Sequence, residues 1–148
     1  MSTITRADVE SVVKTFVEHS NRQDLEACVA LYHPDGDLQD PLFPDPVKAS
    51  PDTVREALEY FWTAFPDATF VVHDMIIDGD KVAVEWTLSA THAGVYLDAP
   101  PSDKRFQVRN VALFRVKDGR FVRDFSVFDA TGLRTLEALA RETATGRQ

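Results

Sequence analysis

The chain has 148 residues, 44% of them hydrophobic, so it can bury a core as a single domain spanning residues 1–148. Its net charge of -8 argues against nucleic acid or an anionic membrane as a partner, because both are bound by basic surfaces. The one cysteine, Cys28, cannot form an internal disulfide, and no apolar stretch reads as a signal peptide or a membrane span, so we expect a cytoplasmic location.

Three helices are predicted in the first half of the chain. The first covers residues 5–19, where Thr5 can cap the N-terminus and apolar side chains recur at helical spacing. A short second helix runs from Leu25 to about His33-Pro34, because proline cannot continue it. The third begins at Ser50-Pro51-Asp52 and ends near residue 65, and its aromatic face predicts packing against a sheet.

The segment between the second and third helices, residues 35–46, is dense in Asp and Pro. It can hold only a short strand, at about residues 37–40, before the chain must turn. Asp40 lies there beside Leu42 and Phe43, and apolar surroundings raise the pKa of a carboxylate, as a general base near neutral pH requires. Asp40 is therefore a candidate catalytic base, although an Asp before Pro can equally make only a turn.

Four long strands, in an antiparallel meander, are predicted in the second half. Asp-Gly turns at residues 78–80 and 117–119 mark two hairpins, and the double proline within residues 95–104 predicts a loop between them. A last helix is predicted over residues 131–143. Helices first and strands later mark an α+β fold, in which the twisted sheet curls around the helices and leaves a cone open at one end.

The last hairpin carries polar side chains on faces that are otherwise apolar. The faces are Val108, Asn110, Ala112 and Phe114 on the first strand and Val122, Asp124, Ser126 and Phe128 on the second. Because a buried polar group needs a partner, this pattern predicts the lining of a pocket. A β-bulge would instead turn Asp124 outward as a solvated charge.

Further residues are candidates for the same pocket. His92 could act as acid or base, or it could be a structural histidine bonded to a backbone carbonyl. Asn110 could polarise a substrate oxygen or only satisfy Asp124, and Ser126 is expected to be a hydrogen-bond partner, since no GxSxG motif is present. The predicted substrate-binding wall comprises Phe16, Phe43, Phe61, Phe65, Trp86, Ala112, Phe114 and Phe128.

A set of short motifs, in order, resembles the SnoaL-like polyketide cyclases of the NTF2-like superfamily. The motifs are Phe65-Pro66-Asp67, Asp78-Gly79-Asp80-Lys81-Val82, Thr91-His92-x-Gly94, PPSDKRF at residues 100–106, Asp118-Gly119-Arg120 and Asp129-x-x-Gly132-Leu133. The resemblance implies a cone-shaped barrel whose curved antiparallel sheet wraps around the N-terminal helices. It also implies a deep apolar pocket, no cofactor and a homodimer formed sheet to sheet.

The same resemblance implies ring closure by intramolecular aldol condensation, with an Asp as general acid and base. That Asp corresponds to Ser126 here and a pocket His corresponds to Ala112, so this chain departs at both. In the related ketosteroid isomerases the base is the Asp of an Asp-Pro dipeptide in the early loop, and Asp40-Pro41 matches that dipeptide. The tyrosine that binds the oxyanion in those enzymes, however, corresponds to Phe16. The limonene-epoxide-hydrolase-like branch needs an Arg and two Asp residues in the pocket. The corresponding positions here are Trp86, Leu88 and Ser126, which disfavours that branch.

The leading hypothesis is a cofactor-independent cyclase or isomerase acting on a hydrophobic, polyketide-like carbonyl compound. Asp40 or Asp124 would remove a proton alpha to a carbonyl, and His92 and Asn110 would stabilise the enolate or relay the proton. The sequence has no CxxC, HExxH or Gly-rich phosphate motif, so we expect neither a metal nor a cofactor. The alternatives are a non-catalytic small-molecule-binding module and a hydratase or epoxide-opening enzyme. Ionisable groups at one cavity would favour an enzyme, and a wholly apolar cavity a carrier.

Overall fold

The structure is a computed structural model that describes residues 3–128, excluding the side chain of Phe128. The predicted last helix and the motif at Asp129 lie outside the described residues. The elements are α1 Arg6–Asn21, α2 Leu25–Ala30, β1 Tyr32–Gln39, β2 Val47–Lys48, α3 Pro51–Ala64, β3 Thr69–Asp78, β4 Lys81–Thr91, β5 Arg105–Lys117 and β6 Arg120–Phe128. This mixture of helices and one curved sheet confirms the α+β prediction. No helix in the described range combines the length and apolarity that a membrane crossing needs.

The helices begin at the predicted caps. The Thr5 hydroxyl accepts the Asp8 N–H at 3.1 Å and the Asp8 carboxylate accepts the Thr5 N–H at 2.8 Å, which closes a capping box. Ser50 caps α3, with Pro51 at its first position. The second helix is shorter than predicted, because it ends at Ala30 instead of reaching His33-Pro34. The residue before a proline is disfavoured in the helical region, so the chain already becomes extended at Tyr32.

One six-stranded sheet, in the order β2-β1-β6-β5-β4-β3, holds all the strands among the described residues. Strands β3 to β6 form the predicted antiparallel meander. The sheet is antiparallel, as predicted, except at one place: β1 pairs in parallel with β6, with Leu38 opposite Asp124. The predicted short strand is also longer, at Tyr32–Gln39, because this pairing continues along β6.

A β-bulge shifts the start of β6. Arg115 pairs with Arg123 while Val116 pairs with Phe121, so Val122 is the extra residue. Phe121 therefore faces inward and is 1% exposed, whereas Val122, which is expected from the sequence to share a face with Asp124, is half-buried. Beyond the bulge the predicted alternation holds, and Asp124 is buried.

The concave face of the sheet packs on the N-terminal helices through aromatic side chains. Phe16 on α1 meets the ring of Phe121 edge-on, with centroids 5.4 Å apart, and that of Tyr32 at 6.0 Å. Its ring also lies 6.1 Å from that of Phe114 on β5. Such edge-to-face contacts stabilise a core beyond their buried area, so this cluster fixes α1 against three strands.

Candidate active site

A cavity of about 110 Å³ lies between the helices and the concave face of the sheet. Its described polar lining is Ser20, Tyr32, Asp40, Tyr96, Asn110, Asp124 and Ser126. Its apolar and aromatic lining is Phe16, Leu38, Pro41, Val54, Ala57, Leu58, Phe61, Trp62, Phe70, Trp86 and Phe114. Convergent polar groups within an aromatic wall are typical of a small-molecule site.

Asp124 lines this cavity and is held by two hydroxyl groups. Tyr32 Oη donates to its Oδ2 at 2.6 Å and Ser126 Oγ donates to its Oδ1 at 2.8 Å. Burial raises the pKa of Asp124 to about 6, and the two hydrogen bonds offset part of that effect. The carboxyl group is therefore poised to exchange a proton near neutral pH.

Asp40 makes a turn and lines the cavity at the same time. Its Oδ1 accepts the N–H groups of Leu42 at 2.8 Å and Phe43 at 3.0 Å. No hydrogen bond from the described residues reaches Oδ2. Burial raises the pKa of Asp40, and the backbone hydrogen bonds act in the opposite direction. Asp40 therefore both makes a turn and lines the cavity.

The charge of Asp40 contributes to the raised pKa of Asp124. Its contribution is smaller than that of burial. One cavity therefore presents a candidate base and a candidate acid together.

Most of the predicted substrate-binding residues meet at this cavity. Asn110 and Trp86 are direct cross-strand neighbours on β5 and β4, and Phe114 lies on the same concave face. Phe16 and Phe61 contribute from α1 and α3.

The remaining predicted residues lie elsewhere. Phe43, Phe65 and Ala112 do not line the cavity, and Phe128 belongs outside the described side chains. Ala112 is fully buried, and its cross-strand neighbours are Ser126 on β6 and Val84 on β4.

His92 also lies outside the cavity. Its ring is fully buried and lies 5.7 Å from that of Phe65. Neither ring nitrogen has a hydrogen-bond partner among the described residues. Burial lowers the pKa of His92, while the nearby Gly94 and Ala99 backbones raise it by less. The structure therefore does not bring His92 to Asp40 and Asp124.

Tyr32 is the main site residue that the sequence pattern does not predict. The sequence pattern places Tyr32 on the apolar side of the predicted second helix, so the residue is interpreted as core and its hydroxyl group is not considered. The signal that could have identified it is Pro34, which favours an extended chain just before it. Burial, followed by the charge of Asp124, raises the pKa of Tyr32 well above its ordinary value, so it stays a hydrogen-bond donor. Tyr96 lines the cavity from the predicted loop, where no periodic pattern identifies it.

The described residues offer no candidate metal centre. Within residues 3–128 no group of three or more His, Cys, Asp or Glu side chains is arranged to hold an ion.

Known proteins resemble this chain in sequence and in fold. Residues 10–135 match the family profile described as SnoaL-like polyketide cyclase. AclR from Streptomyces galilaeus, for which a hydroxylase activity has been suggested, is 27% identical with a TM-score of 0.76, over 90% of this chain and 98% of that one. TsrD from Streptomyces laurentii is 26% identical with a TM-score of 0.77, over 91% and 98%.

A third similar structure is the SnoaL-like protein from Jannaschia sp. CCS1. It is 19% identical with a TM-score of 0.80, over 93% of this chain and 99% of that one, and at this identity it speaks for the fold alone. No curated protein matches the sequence.

Proposed function

The chain belongs to the SnoaL-like polyketide cyclase family, and from this premise we propose that it is a cofactor-independent cyclase or isomerase acting on a hydrophobic, polyketide-like carbonyl compound. The observation that carries the proposal is the pair of carboxylates, Asp40 and Asp124, lining one aromatic cavity. Two ionisable groups at one cavity favour an enzyme over a carrier of apolar molecules.

In the proposed reaction the two carboxylates have different roles. Ionised Asp40 takes the proton from a carbon alpha to a carbonyl, which leaves an enolate. In a cyclisation the enolate carbon bonds to a second carbonyl carbon, and protonated Asp124 gives its proton to the oxygen of that carbonyl. Transfer of a proton from Asp40 to Asp124 through solvent then restores both groups. An isomerase would instead return the proton to a different carbon.

The walls of the cavity support this chemistry in two ways. The NH₂ group of Asn110, which lines the cavity, would donate a hydrogen bond to a substrate oxygen, and the aromatic wall excludes water from the reactive carbon. His92 has no part in the proposal, because it does not line the cavity. The cavity is smaller than the roughly 300 Å³ typical for drug-sized ligands, so single-ring compounds are the appropriate first probes.

The test measures proton removal directly. Exchange of the alpha protons of cyclohexanone for deuterium, followed by NMR, reports abstraction without requiring the natural substrate. We expect wild-type protein to accelerate exchange, Asp40→Asn to abolish the acceleration and Asp124→Asn to reduce it. Asp118→Asn is the matched control, because this carboxylate is exposed in a hairpin turn and should leave the rate unchanged. Full exchange in both cavity variants would refute acid–base catalysis by these residues.

A hydratase or epoxide-opening enzyme is the second candidate, because a water held between two carboxylates would serve that chemistry. The same variants separate it from the first. Retained alpha-proton exchange together with loss of hydrolysis of cyclohexene oxide in Asp40→Asn and Asp124→Asn would favour the second candidate.

We further propose that two copies associate through the convex face of the sheet. Large apolar side chains are exposed there on three strands, namely Val71, Ile76, Val111, Leu113 and Val127. An apolar patch of this kind on a sheet marks an interaction surface. Sedimentation equilibrium should give a dimer that Leu113→Lys dissociates, whereas Val95→Lys, in an exposed loop, should not change the mass. A wild-type monomer at high protein concentration would overturn the proposal.

A further inference from the structure

Two buried polar atoms on the concave face of the sheet have no partner within residues 3–128. They are the indole Nε1 of Trp86 and the side-chain oxygen of Asn110. Each residue is 4% exposed, and both line the cavity. A buried donor or acceptor that is left unsatisfied costs about 1–3 kcal/mol, so this pair needs an account.

The fold places the two residues side by side. Trp86 on β4 is the direct cross-strand partner of Asn110 on β5, and both side chains face the cavity. Directly opposed side chains in an antiparallel pair have Cβ atoms about 5 Å apart. The donor and the acceptor do not bond each other, although they are neighbours, so both remain available to a third group.

The chemistry of the missing partner follows from the atoms. An indole N–H can only donate and an amide oxygen can only accept. A ketone oxygen would satisfy Trp86 alone and leave Asn110 unpaired. A hydroxyl group both accepts and donates, so it can satisfy the two atoms together.

We propose that Trp86 and Asn110 form a binding subsite for a phenolic or enolic hydroxyl group of the substrate. The subsite adds detail to the proposed function. It rests on that function in one respect, namely that the cavity is the substrate site. Along β5, the next inward-facing residue after Asn110 is Ala112, which pairs with Ser126. The one after that is Phe114, which pairs with Asp124, so the subsite lies two inward-facing positions away from Asp124. The substrate would thus carry its hydroxyl group at one end and its acidic C–H group towards the carboxylates.

Binding of phenol and toluene to the wild-type protein tests this without any turnover. The two compounds are nearly the same size. In a cavity without a partner for the hydroxyl group, phenol would bind at least roughly fivefold more weakly than toluene, because burying an unpaired hydroxyl costs about 1–3 kcal/mol. We expect phenol to bind at least as tightly as toluene and to shift the indole N–H signal of Trp86 in ¹H–¹⁵N NMR spectra. Toluene should leave that signal close to its position in the free protein.

Variants assign the effect to the pair. Asn110→Ala should weaken phenol binding about two- to tenfold and leave toluene binding unchanged, as loss of one neutral hydrogen bond predicts. Trp86→Phe should do the same, whereas Trp62→Phe, the matched control on α3, should change both ligands equally.

Two results would overturn the subsite. One is a preference for toluene in the wild-type protein. The other is tight phenol binding that neither moves the Trp86 signal nor responds to Asn110→Ala, which would mean that the hydroxyl group bonds a carboxylate instead. Failure of the cyclase proposal would look different, since alpha-proton exchange would then be unaffected by Asp40→Asn and Asp124→Asn while phenol binding stayed as expected.

Discussion

Replacement of Asp124 by Asn should make the protein's stability less sensitive to pH. The ordinary pKa of this side chain is 3.8, and burial raises it to about 6 in the folded protein. Below the lower value the carboxyl group is protonated in folded and unfolded chains alike. Between the two values only the unfolded chain has ionised, so stability falls as the pH rises, and the full loss is present above the folded pKa.

The size of the loss follows from these two values. Each pKa unit of difference corresponds to about 1.4 kcal/mol, so ionisation of Asp124 lowers the free energy of unfolding by about 3 kcal/mol in all. An Asn at this position cannot ionise. The free energy of unfolding of the variant, minus that of the wild type, should therefore rise by about 2–3 kcal/mol between about pH 4 and about pH 8. Any loss of the Tyr32 or Ser126 hydrogen bond adds a constant that does not depend on pH.

Urea unfolding, monitored by tryptophan fluorescence at a series of pH values, measures this difference. Asp118→Asn is again the control, because its exposed side chain should give a curve parallel to that of the wild type. Curves for Asp124→Asn that also run parallel to the wild type would refute the reasoning. They would mean that this carboxyl group ionises at an ordinary pKa despite its burial.

Three further changes test the surroundings of the site. Tyr32→Phe removes a hydrogen-bond donor to ionised Asp124, and such a bond to a charged group is worth about 1.5–3 kcal/mol. The pKa of Asp124, followed by carboxyl ¹³C NMR, should therefore rise by roughly 1–2 units, and an unchanged titration would contradict this. Gly94→Ala would place a Cβ atom 2.7 Å from the backbone oxygen of Thr63, so it should lower the urea midpoint, and a stable variant would show that the two segments are not packed as described. Phe16→Ala should cost about 3–5 kcal/mol in urea unfolding, because its ring contacts aromatic side chains on three strands and α1 cannot readily collapse into the space; a cost below about 1 kcal/mol would contradict that packing.

Features that depend on neighbouring residues could be predicted from the sequence. The Asp-Gly turns, the capping box at Thr5 and the Pro at the start of α3 are local signals, and each lies where its pattern indicates. The β3–β4 and β5–β6 hairpins follow, because short turns force adjacent strands to pair. Asp40 could be recognised for the same reason, since its turn and its apolar neighbours lie within four residues.

Features that depend on distant residues could not be predicted. No hairpin joins β1 to β6, so nothing in the sequence specified their parallel pairing or the partner it gives Asp124. The bulge at Val122 changes which side chain faces inward without altering the pattern of residue types. His92 is a candidate by residue type, but only the three-dimensional structure shows that it packs against Phe65 and does not line the cavity.

The parallel pairing of β1 with β6 also determines when the site can exist during folding. Tyr32 and Asp124 are 92 positions apart in the chain, and their hydrogen bond joins two residues of the cavity lining. Contacts of such separation form late, because the entropy of closing a long loop must be overcome before they contribute. Strands β3 to β6 can pair before this contact has formed. The raised pKa of Asp124 should therefore develop only in the last step of folding, so that chains that have not completed the fold lack the poised acid.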